Sequence, residues 1–231
     1  MAIAHRGASA YAPENTLAAF DEALRLRARA IEMDVRVARD GVPVIVHDVT
    51  VERTSNGRGA VAELTLAELQ NLDAGSWKDP RFAGVRIPTL DEALQVMAGQ
   101  ARPVIELKIP LDPQLLEDVL RRHRVQDSAL VISFTAEWLS AVRKQSRDLR
   151  VGLLAHSWRA DLLEQCAALG AEVLSVNVEL LTLERIAAAQ RQGLEVWCYT
   201  VNDVGLAAAC AAMGVAGIVT DRPDLIREKV S

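Results

Sequence analysis

Residues 195–219 read EVWCYTVNDVGLAAACAAMGVAGIV, and this stretch decides how the chain folds. A strand-length apolar run, Glu195–Tyr199, precedes a segment of helical periodicity, Val204–Met213, which leads into a second short run, Gly217–Val219. Two strand-like runs joined through a helix are typical of parallel strands, because a parallel connection needs a crossover of a dozen or more residues. The stretch therefore predicts a unit of strand, helix and strand.

The same alternation continues toward the start of the chain, and eight strands can be counted. Eight strands that are each followed by a helix predict a (β/α)8 barrel, and 231 residues fit one such domain, since α/β barrels run to about 200–250 residues. The predicted strands are Ala2–His5, Ala30–Val35, Pro103–Leu107, Leu130–Ser133, Val151–Leu154, Val173–Val176, Glu195–Tyr199 and Gly217–Val219. The predicted helices are Thr16–Leu26, Leu90–Met97, Pro113–Arg122, Ala136–Gln145, Ala160–Leu169, Leu183–Gln192, Val204–Met213 and Asp224–Val230.

One stretch, Val49–Pro88, breaks the alternation. A loop between a strand and its helix usually has about two to six residues, so this stretch is interpreted as an insertion after the second strand. We expect a single domain over residues 1–231 with an insertion at about 49–88, lying over the C-terminal face, where barrels form their active sites. A purely structural cap that excludes water is an equally open interpretation.

Charge and cysteine content restrict the partners. Lys and Arg number 26 against 31 Asp and Glu, a net charge of −5, so there is no basic footprint for nucleic acid. No run of about 20 apolar residues and no amphipathic membrane helix is visible, so no stable membrane association is expected. The three cysteines are odd in number and form no CxxC motif, which favours a reducing compartment. The sequence predicts a cytoplasmic protein that acts on a small molecule.

Three carboxylates indicate a metal site. Glu32 and Asp34 stand two residues apart on one strand and so face the same side. Burying two like charges costs several kcal/mol unless a cation neutralises them, so an inward pair predicts a bound metal ion. Glu106, on the next strand, can complete the set, and oxygen ligands suit Mg²⁺ or Ca²⁺. A solvated strand face is the alternative for Glu32 and Asp34.

Two cations and two histidines extend this set. Arg6 follows the first strand and Lys108 stands two residues after Glu106, so both can face an anion, although an internal salt bridge between Lys108 and Glu106 is also open. His5 ends the first strand, and His47 follows Val42–Val46, interpreted as a short extension of the second strand. A base and an acid beside a metal-bound anion are what phosphodiester cleavage requires.

These residues lie in motifs that resemble the glycerophosphodiester phosphodiesterase family, in its cytosolic bacterial branch. The motifs are Ala4–Gly7 (AHRG), Pro13–Thr16 (PENT), Glu32–Asp34 (EMD), His47–Asp48 (HD), Glu106–Lys108 (ELK) and Tyr199–Asn202 (YTVN), with Glu52–Gly57 and Asp73–Trp77 similar to the family's inserted region.

The resemblance implies a TIM barrel that binds one divalent cation, Mg²⁺ or Ca²⁺, and hydrolyses glycerophosphodiesters to sn-glycerol 3-phosphate and an alcohol. It implies that the glycerol hydroxyl next to the phosphate attacks phosphorus and that water then opens a cyclic phosphate. The implied roles are acid/base catalysis by His5 and His47, metal binding by Glu32, Asp34 and Glu106, and phosphate contacts by Arg6 and Lys108.

Aromatic residues are expected at the substrate. The family often has Trp before Thr-Val-Asn, where this chain has Tyr199, and Trp197 shares its strand face. We expect Tyr199 to line the glycerol site and leave Trp197 open. Phe134, after the fourth strand, is interpreted as either a ligand contact or a core aromatic, and His156 as a possible lining residue of the barrel mouth.

Two other functions stay open at this stage: a phospholipase D-like lyase acting on lysophospholipids, and a non-catalytic phosphate-ester binding module. The two histidines argue against the binding module, because binding alone requires no acid/base pair. The preferred head group, the native metal, the oligomeric state and the division of acid and base between the histidines are not determined by the sequence.

Overall fold

A computed structural model describes residues 1–227, with nine strands and nine α-helices in that part of the chain. The strands are β1 Ala2–Ala4, β2 Ala30–Val37, β3 Pro43–Ile45, β4 Arg102–Leu107, β5 Leu130–Ser133, β6 Arg150–Ala155, β7 Val173–Asn177, β8 Glu195–Tyr199 and β9 Gly217–Thr220. The helices are α1 Leu17–Arg25, α2 Leu66–Gln70, α3 Leu90–Met97, α4 Pro113–Arg122, α5 Ala136–Gln145, α6 Leu162–Leu169, α7 Leu183–Arg191, α8 Val204–Ala212 and α9 Pro223–Arg227.

Eight of the described strands close into a parallel barrel. β1 pairs with β2 on one side and with β9 on the other, and the remaining pairs run β2, β4, β5, β6, β7, β8, β9 in order. This confirms the predicted (β/α)8 barrel, and each barrel strand begins and ends within two residues of its prediction. The predicted last helix, Asp224–Val230, is α9 as far as Arg227, and its later residues lie outside the described part.

One predicted element is wrong. Val42–Val46 does not extend the second strand, because Pro43–Ile45 forms a separate strand, β3, that runs antiparallel to β2. The chain turns at Asp40 and Gly41, and Gly41 has φ +84°, a left-handed conformation that glycine adopts without a steric penalty. The hairpin brings His47 back along the end of β2, next to Asp34, whose carbonyl accepts the amide of Val46 at 3.0 Å.

Side-chain alternation along the strands produces two apolar layers. One cluster fills the barrel, and its largest member, Trp197, is fully buried against Gly217, where a Cβ would lie 2.6 Å from the indole ring. A larger cluster packs the outward faces of the strands against the helices and contains Ile31, Met33 and Ile105. The inward positions alternate with these residues, and toward the carboxyl ends of β2 and β4 they carry Glu32, Asp34 and Glu106 instead of apolar side chains.

The stretch 49–88 holds α2 and two 3-10 turns, Val61–Glu63 and Pro80–Phe82. It has its own apolar cluster, including Val51, Leu69 and Ile87, packed on Val44 and Val46 of the hairpin. Its cations reach the loop between β1 and α1: Lys78 donates to the carbonyl of Ser9 at 2.8 Å and Arg81 to that of Tyr11 at 3.1 Å. The segment is thus fixed to the hairpin and to the loop that follows β1.

Within residues 1–227, no helix is long and apolar enough to span a bilayer.

Candidate active site

A cavity of about 170 Å³ opens at the carboxyl ends of the barrel strands. One side is charged and comes from β1, the hairpin, β2 and β4, whereas the other side is mainly apolar and comes from β5 to β9. The lining residues are His5, Arg6, Glu32, His47, Glu106, Lys108, Ile132, Phe134, Leu154, Ser175, Tyr199, Thr200 and Val219. Both histidines, both cations and both aromatic residues predicted from the sequence therefore share one cavity.

Three buried carboxylates form the centre of the charged side. Glu32, Asp34 and Glu106 are 2%, 1% and 8% exposed, and each offers an oxygen within 4.8 Å of the others. Two cations partly neutralise them: Lys108 contacts Glu106 and stands 3.1 Å from Asp34, and the Arg6 Nε lies 3.1 Å from Asp34. The salt bridge between Glu106 and Lys108 thus exists inside the cavity. The pair therefore forms the internal salt bridge and also faces the space in which an anion could bind.

Burial and neighbouring charges shift the pKa values of the three carboxyls in different directions. Burial, with the nearby Asp34 and Glu106 charges, raises the pKa of Glu32 well above its usual range. Burial and the Asp34 charge raise the pKa of Glu106 to about 7 against the opposing effect of Lys108. Burial opposes ionisation of Asp34 too, but Lys108 and Arg6 lower its pKa to about 2. Glu32 also has a buried oxygen, Oε1, without a hydrogen-bond partner. Three convergent carboxylates with a free oxygen fit a hard divalent ion.

The backbone after β1 is shaped for this cluster. Arg6 adopts φ +56°, and its amide donates to Glu32 at 2.9 Å. A non-glycine residue in this region is uncommon and often marks a functional site. Gly7 follows at φ +83°, where a Cβ would lie 2.6 Å from Ala19 of α1, so the turn requires glycine. Asn15, also left-handed at φ +57°, donates to Asp34 at 2.7 Å.

His5 is oriented by an aspartate from the far end of the chain. Its Nδ1 lies 2.7 Å from Asp221, which follows β9 and accepts further bonds from Ser9 Oγ at 2.9 Å and Asn202 Nδ2 at 2.6 Å. Burial would raise the pKa of Asp221, but these donors lower it to about 2. An ionised carboxylate on Nδ1 fixes the ring and leaves Nε2 for proton transfer.

His47 is oriented by its neighbour Asp48 and, through it, by Arg53 of the stretch 49–88. Its Nδ1 lies 2.6 Å from Asp48, whose other oxygen accepts from Arg53 at 2.6 Å. Arg53 also donates to Glu14 at 2.8 and 2.9 Å, and Glu14 accepts from Arg6 at 2.6 Å. Burial lowers the pKa of His47, so its neutral form persists to lower pH than usual. Arg53 is thereby connected to a histidine and a cation of the cavity.

Aromatic residues form the rim of the cavity. Phe134 is 40% exposed, so it is not a core aromatic, and it meets Tyr199 edge-on at 6.0 Å and His156 at 5.1 Å between ring centroids. The Tyr199 hydroxyl donates to the carbonyl of Ala155 at 2.8 Å. Trp197 lies below, with no exposed surface, and is not among the lining residues. Phe134 and Tyr199 are therefore placed to contact a ligand, and Trp197 fills the barrel.

Comparisons with known proteins decide the family. The model of the glycerophosphoryl diester phosphodiesterase family matches residues 5–225. This chain belongs to that family. YhdW of Bacillus subtilis, named as a glycerophosphodiester phosphodiesterase, is 40% identical, over 97% of this chain and 95% of its own length. A glycerophosphodiester phosphodiesterase of Caldanaerobacter subterraneus is 35% identical, over 98% of this chain and 96% of its own.

Solved structures agree with this assignment. A phosphodiesterase of Oleispira antarctica, determined in complex with the product sn-glycerol 3-phosphate, superposes with a TM-score of 0.95 at 31% identity, over 100% of this chain and 96% of its own. A glycerophosphodiester phosphodiesterase of Agrobacterium tumefaciens gives 0.86 at 33% identity, over 98% of both chains. Membership of the family supports a glycerophosphodiester as the small-molecule substrate and favours hydrolysis over the lyase and the binding module.

Several residues of this phosphodiesterase site were not predicted from the sequence. Asp221 could have been found, because it directly follows the last strand and so lies at the carboxyl end, as His5 does. Arg53 and Glu14 lie in segments that carry the family resemblance, but their role is not predictable, since their contact joins two loops that are distant in sequence. Ser175 occupies an inward position of β7 but was read only as part of an apolar strand.

Proposed function

We propose that this chain hydrolyses glycerophosphodiesters to sn-glycerol 3-phosphate and an alcohol, with His5 and His47 as the proton-transferring groups. The observation that carries the proposal is the pair of histidines lining one cavity, each bound through Nδ1 to a carboxylate, at 2.7 and 2.6 Å. A phosphate-ester binding site has no need of two such pairs.

The histidines divide the proton transfers. Cleavage of a phosphodiester takes a proton from the attacking hydroxyl and gives one to the departing alkoxide. Because Asp221 and Asp48 hold Nδ1 of His5 and His47, we assign both transfers to the Nε2 atoms. In line with the family resemblance, we assign the attack to the glycerol hydroxyl next to the phosphate, followed by opening of the cyclic phosphate by water.

The charged side of the cavity would bind the phosphate and one divalent cation, Mg²⁺ or Ca²⁺. Glu32, Asp34 and Glu106 are the residues that would hold the cation, which when bound would polarise the phosphate oxygens. With all three carboxyls ionised, Arg6 and Lys108 leave the cluster negative, and a divalent charge would make it positive. Arg6 and Lys108 would then donate to the equatorial oxygens as charge builds up on them.

The direct test is release of glycerol 3-phosphate from glycerophosphocholine by the purified protein, with Mg²⁺ or Ca²⁺ and after chelation. We expect activity with one of the ions and its loss with chelator. Equal rates with and without chelator would refute the metal role. Lysophosphatidylcholine assayed in parallel separates the lyase, which would act on that substrate and leave glycerophosphocholine intact.

Metal binding can be measured apart from turnover. The ion that supports activity should raise the melting temperature of the wild-type protein, because it binds the folded state only. The Glu32→Gln variant keeps the volume of the side chain and removes a charged ligand, so its melting temperature should no longer respond to the ion. An equal response in the variant would exclude Glu32 as a ligand.

We also propose that residues 49–88 are an insertion that positions catalytic side chains without touching substrate. Arg53 reaches the histidine through Asp48 and the phosphate-binding cation through Glu14. Among the described residues that line the cavity, none comes from this segment.

Cys166, Cys198 and Cys210, all buried free thiols, support our proposal of a reducing, cytoplasmic location.

A further inference from the structure

The cavity contains one polar atom that neither the metal cluster nor the catalytic pairs explain. Ser175 lines the cavity from β7, is 1% exposed, and its hydroxyl oxygen has no hydrogen-bond partner. Two other buried atoms of lining residues also lack hydrogen bonds, Arg6 Nε and Glu32 Oε1. Arg6 Nε faces Asp34 at 3.1 Å, and Glu32 Oε1 belongs to the carboxylate cluster. Only Ser175, within the described cavity lining, lacks such an explanation.

An unpaired buried hydroxyl is unfavourable and is rarely retained without a partner. Ser133, on the outward face at the end of β5, shows the usual solution: its hydroxyl donates to the carbonyl of Leu107 and accepts from the amide of Thr135, both at 3.1 Å. Ser175, on the inward face of β7, makes no such contact. The partner of its hydroxyl is therefore to be sought among the ligands of the cavity.

The position of Ser175 indicates which part of a ligand it meets. In the ring of eight barrel strands, β7 stands diametrically opposite β2, which carries the carboxylate cluster. Ile132 of β5 and Val219 of β9 supply apolar walls between the two sides of the cavity, and Leu154 of β6 supplies one next to β7. A glycerol phosphate with its phosphate on the charged side would lay its carbon chain on these walls and direct its far end toward β7.

We propose that Ser175 hydrogen-bonds the glycerol hydroxyl farthest from the phosphate and so selects glycerol over shorter or deoxygenated alcohols. The inference rests on the proposed function and adds a specificity-determining contact to it. A site that hydrogen-bonds a substrate hydroxyl discriminates against an analogue that lacks it, because its own polar group is then left unpaired. The contact should act on substrate binding and leave the histidine chemistry unchanged.

The test combines two substrates and two proteins. The substrates are glycerophosphocholine and the analogue in which propane-1,2-diol replaces glycerol, so that the hydroxyl next to the phosphate remains and the terminal one is missing. Choline release reports turnover of both. For the wild type we expect kcat/KM to be roughly 10-fold lower on the analogue, the size of one hydrogen bond in a buried site. In Ser175→Ala the two substrates should become equal, with the analogue turned over as by the wild type.

Ser133→Ala is the matched control. It removes a hydroxyl that is bonded within the protein, so it should lower the melting temperature and leave the substrate preference as in the wild type. Ser175→Ala removes an unpaired hydroxyl, so its melting temperature should equal or exceed that of the wild type.

The outcomes separate the two proposals. If Ser175→Ala keeps the wild-type preference between the two substrates, with or without an equal loss of kcat/KM on both, Ser175 does not contact the terminal hydroxyl. A lowered melting temperature together with equal losses would assign the hydroxyl to the fold. If the wild type releases no choline from glycerophosphocholine, the proposed function itself fails. A wild type that turns over both substrates equally refutes only the Ser175 contact.

Discussion

The two histidine–aspartate pairs have the same local geometry but are built by different parts of the molecule. His5 and Asp221 are 216 residues apart and meet because β1 and β9 close the barrel, with Ser9 and Asn202 holding the aspartate through neutral donors. His47 and Asp48 are adjacent in the chain, and a cation of the insertion, Arg53, holds their carboxylate. The barrel thus supplies one of the two proposed proton-transferring groups, and a hairpin with an attached loop supplies the other.

The second pair depends on Arg53, which lies outside the strands and helices of the barrel. Arg53 bridges Asp48 and Glu14, and Glu14 holds Arg6, so one side chain orients groups on both the hairpin and the loop after β1. The first pair depends on closure of the barrel, which every strand supports. Substitutions can therefore separate defects in chemistry from defects in folding.

The largest expected effect is loss of either histidine. His5→Ala and His47→Ala should each lower kcat on glycerophosphocholine by at least about 10²-fold, the usual contribution of a positioned acid or base. Steady-state kinetics with the activating metal gives both values, and circular dichroism checks that the variants fold. If one variant retains wild-type kcat, that histidine takes no part in proton transfer and the two pairs are not equivalent.

An intermediate effect is expected for Arg53, which distinguishes the second pair from the first. Arg53→Met leaves His47 and Asp48 in place but removes the cation that fixes Asp48 and Glu14, so we expect kcat to fall by roughly 10-fold, as for a misplaced catalytic group. Arg53→Lys should restore little of the lost kcat, because the lysine ammonium lacks the planar fork with which the arginine guanidinium holds two carboxylates.

Arg58→Met is the control, since Arg58 is an exposed arginine of the same insertion. Its kcat should equal that of the wild type. If Arg53→Met also matches the wild type, the insertion is a structural cap and not a positioning element. A fall in kcat of equal size for both variants would mean that the insertion acts through its overall charge.

The barrel and the carboxylate cluster were predictable because they depend on local periodicity. Alternation along β2 places Glu32 and Asp34 on one face, and in a barrel whose outer face is covered by helices that polar face is the inward one. The hairpin was not predictable in the same way: Val42–Val46 has the composition of a buried strand in either direction, and the turn at Gly41 decides that it runs antiparallel. The partners of Asp48 and Asp221 depend on loop contacts, which periodicity does not describe.

The smallest expected effect is on the free energy of unfolding, and it differs between the two histidine–aspartate pairs. Donors lower the pKa of Asp221 from its ordinary 3.8 to about 2, so its ionised form stabilises the fold at neutral pH. This stabilisation is present above the ordinary pKa and is lost as the pH falls through about 2. After allowance for its partial exposure, Asp221→Asn should lower the free energy of unfolding at pH 7 by about 1–2 kcal/mol, with a smaller difference at pH 3.

Asp48→Asn should cost less global stability than Asp221→Asn, although both break a contact to a histidine. Asp221 joins segments from opposite ends of the chain, so its contacts are lost only when the barrel opens. Asp48 joins neighbouring loops, which can open locally before the barrel unfolds and so contribute less to the global free energy. Urea unfolding of both variants at pH 7 and pH 3 measures the difference. Equal losses would mean that the hairpin and insertion unfold together with the barrel, and the two pairs would then differ in origin but not in energetic role.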